Sequence, residues 1–261
     1  MTPRDQYLRD GWAVFPQVLD GALVDEAAAH VDWLLARHPD RRPEMLSNEL
    51  VDDDPFWLRL VSDPRLLDIA EQFIGPDIAL FASHYISKPA GDGQPVLWHQ
   101  DAAYWPLQPM EVVSLWLAVD DSTPDNGCLQ VLPGSHRGAV HGLRRIDAVA
   151  NVLGSEIAVE VDESAAVDVV VPRGGVSVHH PAIVHGSRAN TSSRRRCGLT
   201  IRYIPTSTRI VSESPWPCCF LLRGDGAPHV NVYATPPVWR AGEHMPFRGC
   251  ERWALSGGSG G

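Results

Sequence analysis

Trp98-His99-Gln100-Asp101 decides what this chain is built around. In an extended strand successive side chains alternate, so His99 and Asp101 fall on one face. An imidazole and a carboxylate converging there need one more donor to make a metal site. His185 can supply it, at the end of the distant run that begins Gly174-Gly175-Val176-Ser177-Val178-His179-His180. Two histidines and a carboxylate form a facial triad that suits iron(II) and leaves half of an octahedral ion's positions open. Alone, His-x-Asp is a weak motif. With 11 histidines and 32 acidic residues, chance pairs are expected, and a hydrogen-bonded strand histidine is the plain alternative. The neighbouring Trp98, Tyr104 and Trp105 strengthen the pair, because they would keep its surroundings partly dry.

Arg196 adds a second kind of chemistry. It opens Arg196-Cys197-Gly198-Leu199-Thr200-Ile201-Arg202-Tyr203, whose alternation sets Arg196, Gly198, Thr200 and Arg202 on one face. A guanidinium pointing into a metal-bearing barrel can grip a carboxylate with two parallel hydrogen bonds. If that carboxylate ends a 2-oxo acid, the other end can chelate the metal and leave one position for dioxygen. The preceding Arg194 and Arg195 read as a solvated face.

Bulk properties set the bounds. A chain of 261 residues can bury a full core without disulfides or metal staples, and residues 1–255 read as one domain. A net charge of −10 and a pI near 5.5 argue against nucleic acid or an acidic membrane as partner. No apolar run is long enough to cross a membrane. MTPRDQYLRDGW lacks the apolar centre of a secretory signal. Five cysteines without a C-x-x-C pair fit reduced thiols in a cytoplasm.

Along the chain, residues 3–10 read as a short helix and Trp12 to Pro16 as a short strand. Asp20 caps a helix with apolar positions at Leu23, Ala27, Val31 and Leu34. Residues 39–54 are polar and aperiodic, a long loop whose Glu44, Glu49 and Asp52 read as solvated. Asp63-Pro64 opens another helix that stops at Gly75-Pro76. From residue 77 short strands dominate, over 78–87, 112–119, 128–132, 167–171, 176–179 and 198–204. The class is mainly β with flanking helices, an antiparallel sandwich or barrel. Residues 205–255 wrap the barrel or cover its mouth, and 256–261 form a flexible, linker-like tail.

Three phrases, WHQDAAYW (98–105), NGCLQVLPGSH (126–136) and HGSRANTSSRRRCGLTIRY (185–203), resemble the phytanoyl-CoA dioxygenase family of Fe(II)- and 2-oxoglutarate-dependent oxygenases. The resemblance runs from about residue 8 to residue 205. It implies a double-stranded β-helix, a cupin-like jelly roll, with His99, Asp101 and His185 as iron ligands. Arg196 would bind the distal carboxylate of 2-oxoglutarate. Ser187 matches a position that often helps hold it, although a hydroxyl there equally suits a turn. Lys88, Gln130 and Trp116 are further candidates at the cosubstrate; their alternatives are a solvated lysine and two core side chains. His179 and His180 read as supports, not ligands.

The implied reaction oxidises a substrate while 2-oxoglutarate and dioxygen become succinate and carbon dioxide. Related halogenases lack the carboxylate, so Asp101 favours hydroxylation or another oxidation. Tyr104, Trp105, Trp216, Arg202 and the 39–54 loop are candidates for substrate contact; for Arg202 the alternative is a surface ion pair. No basic patch suits a coenzyme A thioester or nucleotide, which points to a small molecule of specialised metabolism. A jelly-roll isomerase or lyase without a 2-oxo acid, or a non-catalytic binding module, would not need the Arg196 clamp.

Overall fold

The computed structural model describes residues 1–254, so the tail expected at 256–261 lies outside the described residues. Helices begin where the sequence carries caps. Helix α1 (Pro3–Asp10) starts with a Thr2–Asp5 capping box. Asp20 accepts from the Leu23 amide at the head of α2 (Gly21–Arg37). Asp54 and Asp63 do the same for α3 (Pro55–Val61) and α4 (Pro64–Ile74), each with proline in the first turn. Helix α3 was not expected, yet Asp54-Pro55 carries the same signal as Asp63-Pro64. A short α5 (Cys250–Ala254) closes the described chain.

The strands are β1 (Trp12–Phe15), β2 (Ile78–Lys88), β3 (Val96–His99), β4 (Leu107–Gln108), β5 (Val113–Ala118), β6 (Leu129–Val131) and β7 (Leu143–Arg145). They continue as β8 (Ser155–Ile157), β9 (Val167–Val169), β10 (Val176–His179), β11 (His185–Ser187), β12 (Arg196–Pro205), β13 (Arg209–Ile210) and β14 (Leu221–Arg223). A six-stranded antiparallel sheet runs β1-β10-β5-β12-β2-β14, and a four-stranded one runs β3-β11-β6-β9. The two sheets face each other as a jelly roll, with helices outside the larger one.

Alternation sorts the larger sheet. On β12, Cys197, Leu199, Ile201 and Tyr203 are fully buried against the helical layer, beside Leu115 and Leu117 of β5 and Tyr85 of β2. The opposite face carries Arg196, Thr200, Arg202, Trp116 and His84 into a cavity between the sheets. Two irregularities re-aim side chains. In β2, Phe81 is an extra residue opposite Arg202 and Tyr203, so Phe81 and Ala82 both line the cavity. In β3, the four residues from Val96 to His99 oppose three of β11, so Val96 and His99 both face inward.

Residues 39–54 depart from the expectation of a solvated loop at the pocket rim. They form 3₁₀ turns at Pro43–Met45 and Asn48–Asp53, bury Leu46 and Val51, and bridge Leu46 to Tyr85. Glu44 is buried, not solvated: its carboxylate accepts from Arg42 and from the Gln94 amide at 2.9 Å. Glu49 and Asp52 are exposed as expected. None of the described residues of this segment lines the cavity.

Behind the larger sheet, His30 Nε2 lies 2.8 Å from Asp54 and Nδ1 lies 3.1 Å from the Tyr85 hydroxyl. Trp57 packs on Tyr85 and donates its indole N–H to Ser83 at 2.9 Å. Ser83 in turn donates to the Thr200 carbonyl, so this polar set anchors the helices to β12. Removing the indole leaves a large void and an unpaired hydroxyl. Trp57→Ala is expected to cost about 3–5 kcal/mol in urea unfolding; a loss below about 1 kcal/mol would show that the layer collapses to fill the gap.

Candidate active site

His99 ends β3, Gln100 stays extended, and Asp101 opens a 3₁₀ turn (Asp101–Ala103). The expected strand spacing therefore survives for one residue past the strand, enough to bring both side chains to one face. Gln100 points away, donating to the Ala139 and Ala182 carbonyls and accepting from the His141 amide. His185 stands directly opposite His99 in the β11–β3 ladder. Donor atoms of His99, Asp101 and His185 all lie within 4.8 Å of one another, and all three residues are buried.

Hydrogen bonding settles which atoms face the centre. His99 Nδ1 lies 2.8 Å from the Leu97 carbonyl and His185 Nδ1 lies 3.0 Å from the Ile183 carbonyl. A carbonyl accepts only, so each Nδ1 carries the proton and each Nε2 keeps its lone pair. Those Nε2 atoms lie 3.5 and 3.9 Å from Asp101 Oδ1, too far to be hydrogen bonds. Burial, then the charge on His99, hold the His185 pKa well below the ordinary value, so its imidazole stays neutral. Burial would push Asp101 up, but Arg202 and the surrounding imidazoles outweigh it and keep the carboxyl ionised. Two imidazoles with Nε2 turned inward and a carboxylate, preset on carbonyl anchors, fit a divalent ion.

The other carboxylate oxygen has its own ring of contacts. Asp101 Oδ2 lies 3.4 Å from Ser114 Oγ, 3.5 Å from His179 Nε2 and 3.9 Å from Arg202 Nη2. His179 thus stands behind the carboxylate and outside the three-donor group. Both of its ring nitrogens are buried without a hydrogen-bond partner. His180 lies apart, its ring against Tyr7 and His136.

The cavity, about 290 Å³, runs from this group to Arg196. Arg196 is buried, donates through Nε and Nη2 to the Gly127 carbonyl at 3.0 and 2.7 Å, and lies 5.1 Å over the Trp116 ring. Ser187 lines the cavity nearby. Lys88 does not: it is fully buried behind Ser187, donating to Ser187 Oγ at 2.7 Å and to the Arg188 carbonyl. Burial, then the Arg196 charge, lower its pKa to about 6. Both readings of Lys88, a solvated lysine and a direct cosubstrate contact, therefore give way to a buried support of Ser187. Gln130 is also corrected. It faces away from the cavity, opposite Gly186, and donates to Asp168 on β9 at 2.8 Å.

Tyr104, Trp105 and Trp216 line the outer cavity with Phe81, and Trp216 donates to the Phe81 carbonyl at 2.7 Å. Arg202 lines it too, only 8% exposed, so it is no surface ion pair. The rim that sequence reasoning missed is the β7–β8 hairpin. Leu153 lines the cavity and Ser155 Oγ meets the Tyr104 hydroxyl at 2.7 Å. That hairpin is short, polar and without strong alternation, and gave no signal.

A jelly roll that brings two histidines and an aspartate together on facing strands, with a buried arginine in the same cavity, has the architecture of the iron- and 2-oxoglutarate-dependent oxygenases. The sequence profile of the phytanoyl-CoA dioxygenase (PhyH) family matches residues 7–198. The chain is 30% identical over 260 residues to L-proline trans-4-hydroxylase of Streptomyces griseoviridis, covering 88% of this chain and 94% of that one. Among solved structures, the non-heme monooxygenase ThoJ, in its apo form, superposes with a TM-score of 0.78 at 26% identity, over 97% of this chain and 93% of ThoJ. The epimerase SnoN, solved with Fe3+, alpha ketoglutarate and nogalamycin RO, shares the fold, with a TM-score of 0.67 at 21% identity over 92% and 95%. Several other curated relatives, human peroxisomal phytanoyl-CoA dioxygenase among them, are matched over about half their length. The chain belongs to the phytanoyl-CoA dioxygenase family and is an oxidoreductase that uses iron, 2-oxoglutarate and dioxygen.

Gly198 shows how closely the Arg196 end is packed. A Cβ there would lie 1.9 Å from the Trp116 ring, so any side chain must push the indole from beneath the guanidinium. Gly198→Ala is expected to cost about 1–3 kcal/mol of stability and to weaken 2-oxoglutarate binding by about 2- to 30-fold. Urea unfolding and a cosubstrate titration check the pair; unchanged affinity in a destabilised variant would detach Trp116 from the cosubstrate.

Proposed function

We propose that His99, Asp101 and His185 hold iron(II), that Arg196 and Ser187 hold the distal carboxylate of 2-oxoglutarate, and that the enzyme hydroxylates or otherwise oxidises a small molecule. The observation that carries this reading is that three preset donors and a buried guanidinium line one cavity. Iron with 2-oxoglutarate supplies the oxidising chemistry, consuming dioxygen and releasing succinate and carbon dioxide.

The chain's own residues position and exclude. Leu97 and Ile183 carbonyls fix the imidazole tautomers. Ser114, His179 and Arg202 around Asp101 Oδ2 leave Oδ1 turned to the imidazoles. The Gly127 carbonyl occupies one edge of Arg196 and leaves Nη1 without a protein partner, free for an anion. Lys88 acts as a positioning residue, turning the Ser187 hydroxyl. Trp116, Ile86 and Leu129 keep this end of the cavity apolar, where a charge-assisted hydrogen bond is strong.

A cavity near the lower end of the roughly 300–1,000 Å³ usual for ligand sites supports a small substrate and not an enclosed acyl-coenzyme A. The presence of Asp101 supports oxidation over halogenation. A relative named as an L-proline hydroxylase supports a substrate of comparable size. Five free, buried cysteines and the absence, among the described residues, of a helix long and apolar enough to cross a membrane support a cytoplasmic enzyme.

Anaerobic addition of Fe(II) and 2-oxoglutarate is expected to give a weak visible charge-transfer band, and succinate should follow on admission of air. His99→Ala and Asp101→Ala should abolish the band. Arg196→Ala should keep the metal and raise the Kd for 2-oxoglutarate by roughly 30-fold or more; an unchanged Kd would reassign the clamp.

Lys88 gives the pH dependence its sign. Its pKa in the free protein is about 6, and a carboxylate on Ser187 and Arg196 would raise it. A group whose pKa rises on binding strengthens binding below its free pKa, and that gain is lost as pH climbs through the bound value. Affinity for 2-oxoglutarate should therefore fall as pH rises from about 6. Calorimetry in two buffers should show proton uptake, and Lys88→Met should flatten the profile. A flat profile in the unaltered protein would mean that Lys88 does not sense the cosubstrate.

A further inference from the structure

Arg202 is a buried cation whose hydrogen bonds are half made. Its Nη1 donates to His84 Nδ1 at 2.8 Å and to Thr200 Oγ1 at 2.7 Å. Burial, with the nearby Arg202 charge, drives the His84 pKa down to about 3, so the imidazole is neutral and can accept. The other edge is bare. Nε is buried with no partner, and Nη2 has only Asp101 Oδ2 at 3.9 Å, beyond hydrogen-bond reach. Nε and Nη2 form the guanidinium edge that pairs side-on with a carboxylate, and a buried donor left unpaired is costly. One flat face is already covered by Trp105, 5.3 Å away, which favours a ligand that comes in plane.

Charge and distance say which ligand. Iron(II), Asp101, the two carboxylates of 2-oxoglutarate and Arg196 together come to zero, which leaves Arg202 as an excess positive charge. Lys88, when protonated, only adds to that excess. Among the described residues lining the cavity, Asp101 is the only acid, and the metal reading engages it. Arg196 and Arg202 stand six residues apart on β12, roughly 20 Å at ~3.3 Å per residue. One five-carbon diacid does not span them.

We propose that Arg202 anchors the substrate, which carries a carboxylate, with its hydrocarbon body against Phe81, Trp105 and Trp216. This rests on the iron and 2-oxoglutarate reading of the same cavity. Because Arg202 also borders Asp101, the anchored carboxylate sits beside the metal donors, and the carbon oxidised lies only a few bonds from it.

The test uses matched carboxylates and primary carboxamides: L-proline and L-prolinamide, benzoate and benzamide, phenylacetate and phenylacetamide. Binding is read twice, as a shift of the charge-transfer band in the anaerobic iron and 2-oxoglutarate complex, and as tryptophan fluorescence quenching in the metal-free protein. At least one acid should bind roughly a hundredfold more tightly than its amide. Arg202→Gln should erase that preference in the fluorescence reading of the metal-free protein, and Arg202→Lys, which keeps the charge that holds Asp101 ionised, should keep the band and the Kd for 2-oxoglutarate while restoring part of the preference. The proposal is overturned if no acid binds, if acid and amide bind alike, or if Arg202→Gln keeps the preference. Loss of the band or of 2-oxoglutarate affinity in Arg202→Lys, where the charge remains, would also overturn it, making the guanidinium itself a support of Asp101 or of the cosubstrate. Absence of the band in the unaltered protein would instead defeat the iron reading, while fluorescence still reports on acid against amide.

Discussion

A strand buried on both faces must find apolar neighbours for one row of side chains and polar partners for the other. Strand β12 is buried along its whole length, and the rest of the molecule answers its two demands. The row of Cys197, Leu199, Ile201 and Tyr203 is covered by α2, α3 and α4 through apolar contact. The row of Arg196, Thr200 and Arg202 cannot be covered that way, because two guanidinium groups cannot be left in an apolar layer unpaired. A cavity that admits anions resolves the conflict. The helices and the active site are therefore two solutions to one alternation, and a one-residue slip of β12 would destroy both.

Electrostatics explain why the metal donors sit where they do. A buried carboxylate would be driven toward protonation by desolvation alone. Arg202 keeps Asp101 ionised without making a hydrogen bond to it, so the carboxylate keeps its charge and its Oδ1 lone pairs. Ser114 approaches Oδ2 from β5 and His179 from β10, so neighbouring strands of the larger sheet orient a residue carried by the loop after β3. The smaller sheet brings the histidines together, and the larger one tunes the carboxylate between them.

Legibility in the sequence followed the range of the interaction. The caps at Asp20 and Asp63, the His99–Asp101 spacing and the alternation of Arg196 to Arg202 are set within a few residues, and each is visible as written. Gln130 was misplaced because β6 is only Leu129–Val131, too short for alternation to fix its phase. Glu44 looked solvated because its burial depends on the Gln94 amide, 50 positions away. Lys88, near a strand end, reads equally as wet or as a cosubstrate contact, but β11 and the Arg188 carbonyl enclose its ammonium group. The bulges at Phe81 and within Val96–His99 leave no local mark, since they follow from pairing with β12 and β11.

The two sides of the cavity differ in what holds them. The wall formed by β5, β12 and β2 is backed by fully buried aromatics and the His30–Asp54–Tyr85 set, where any displacement opens voids and breaks bonds far from water. The rim formed by β7 and β8 has exposed neighbours such as Val149 and Val159, and reaches the cavity through Leu153 and the partly exposed Tyr104–Ser155 hydrogen bond. Exposed hydrogen bonds of this kind contribute little net stability, so rim residues can be exchanged without disturbing the metal donors. Control over which molecule enters is thus separated in space from control over the metal. One scaffold can keep its iron chemistry while its rim is rebuilt for another substrate.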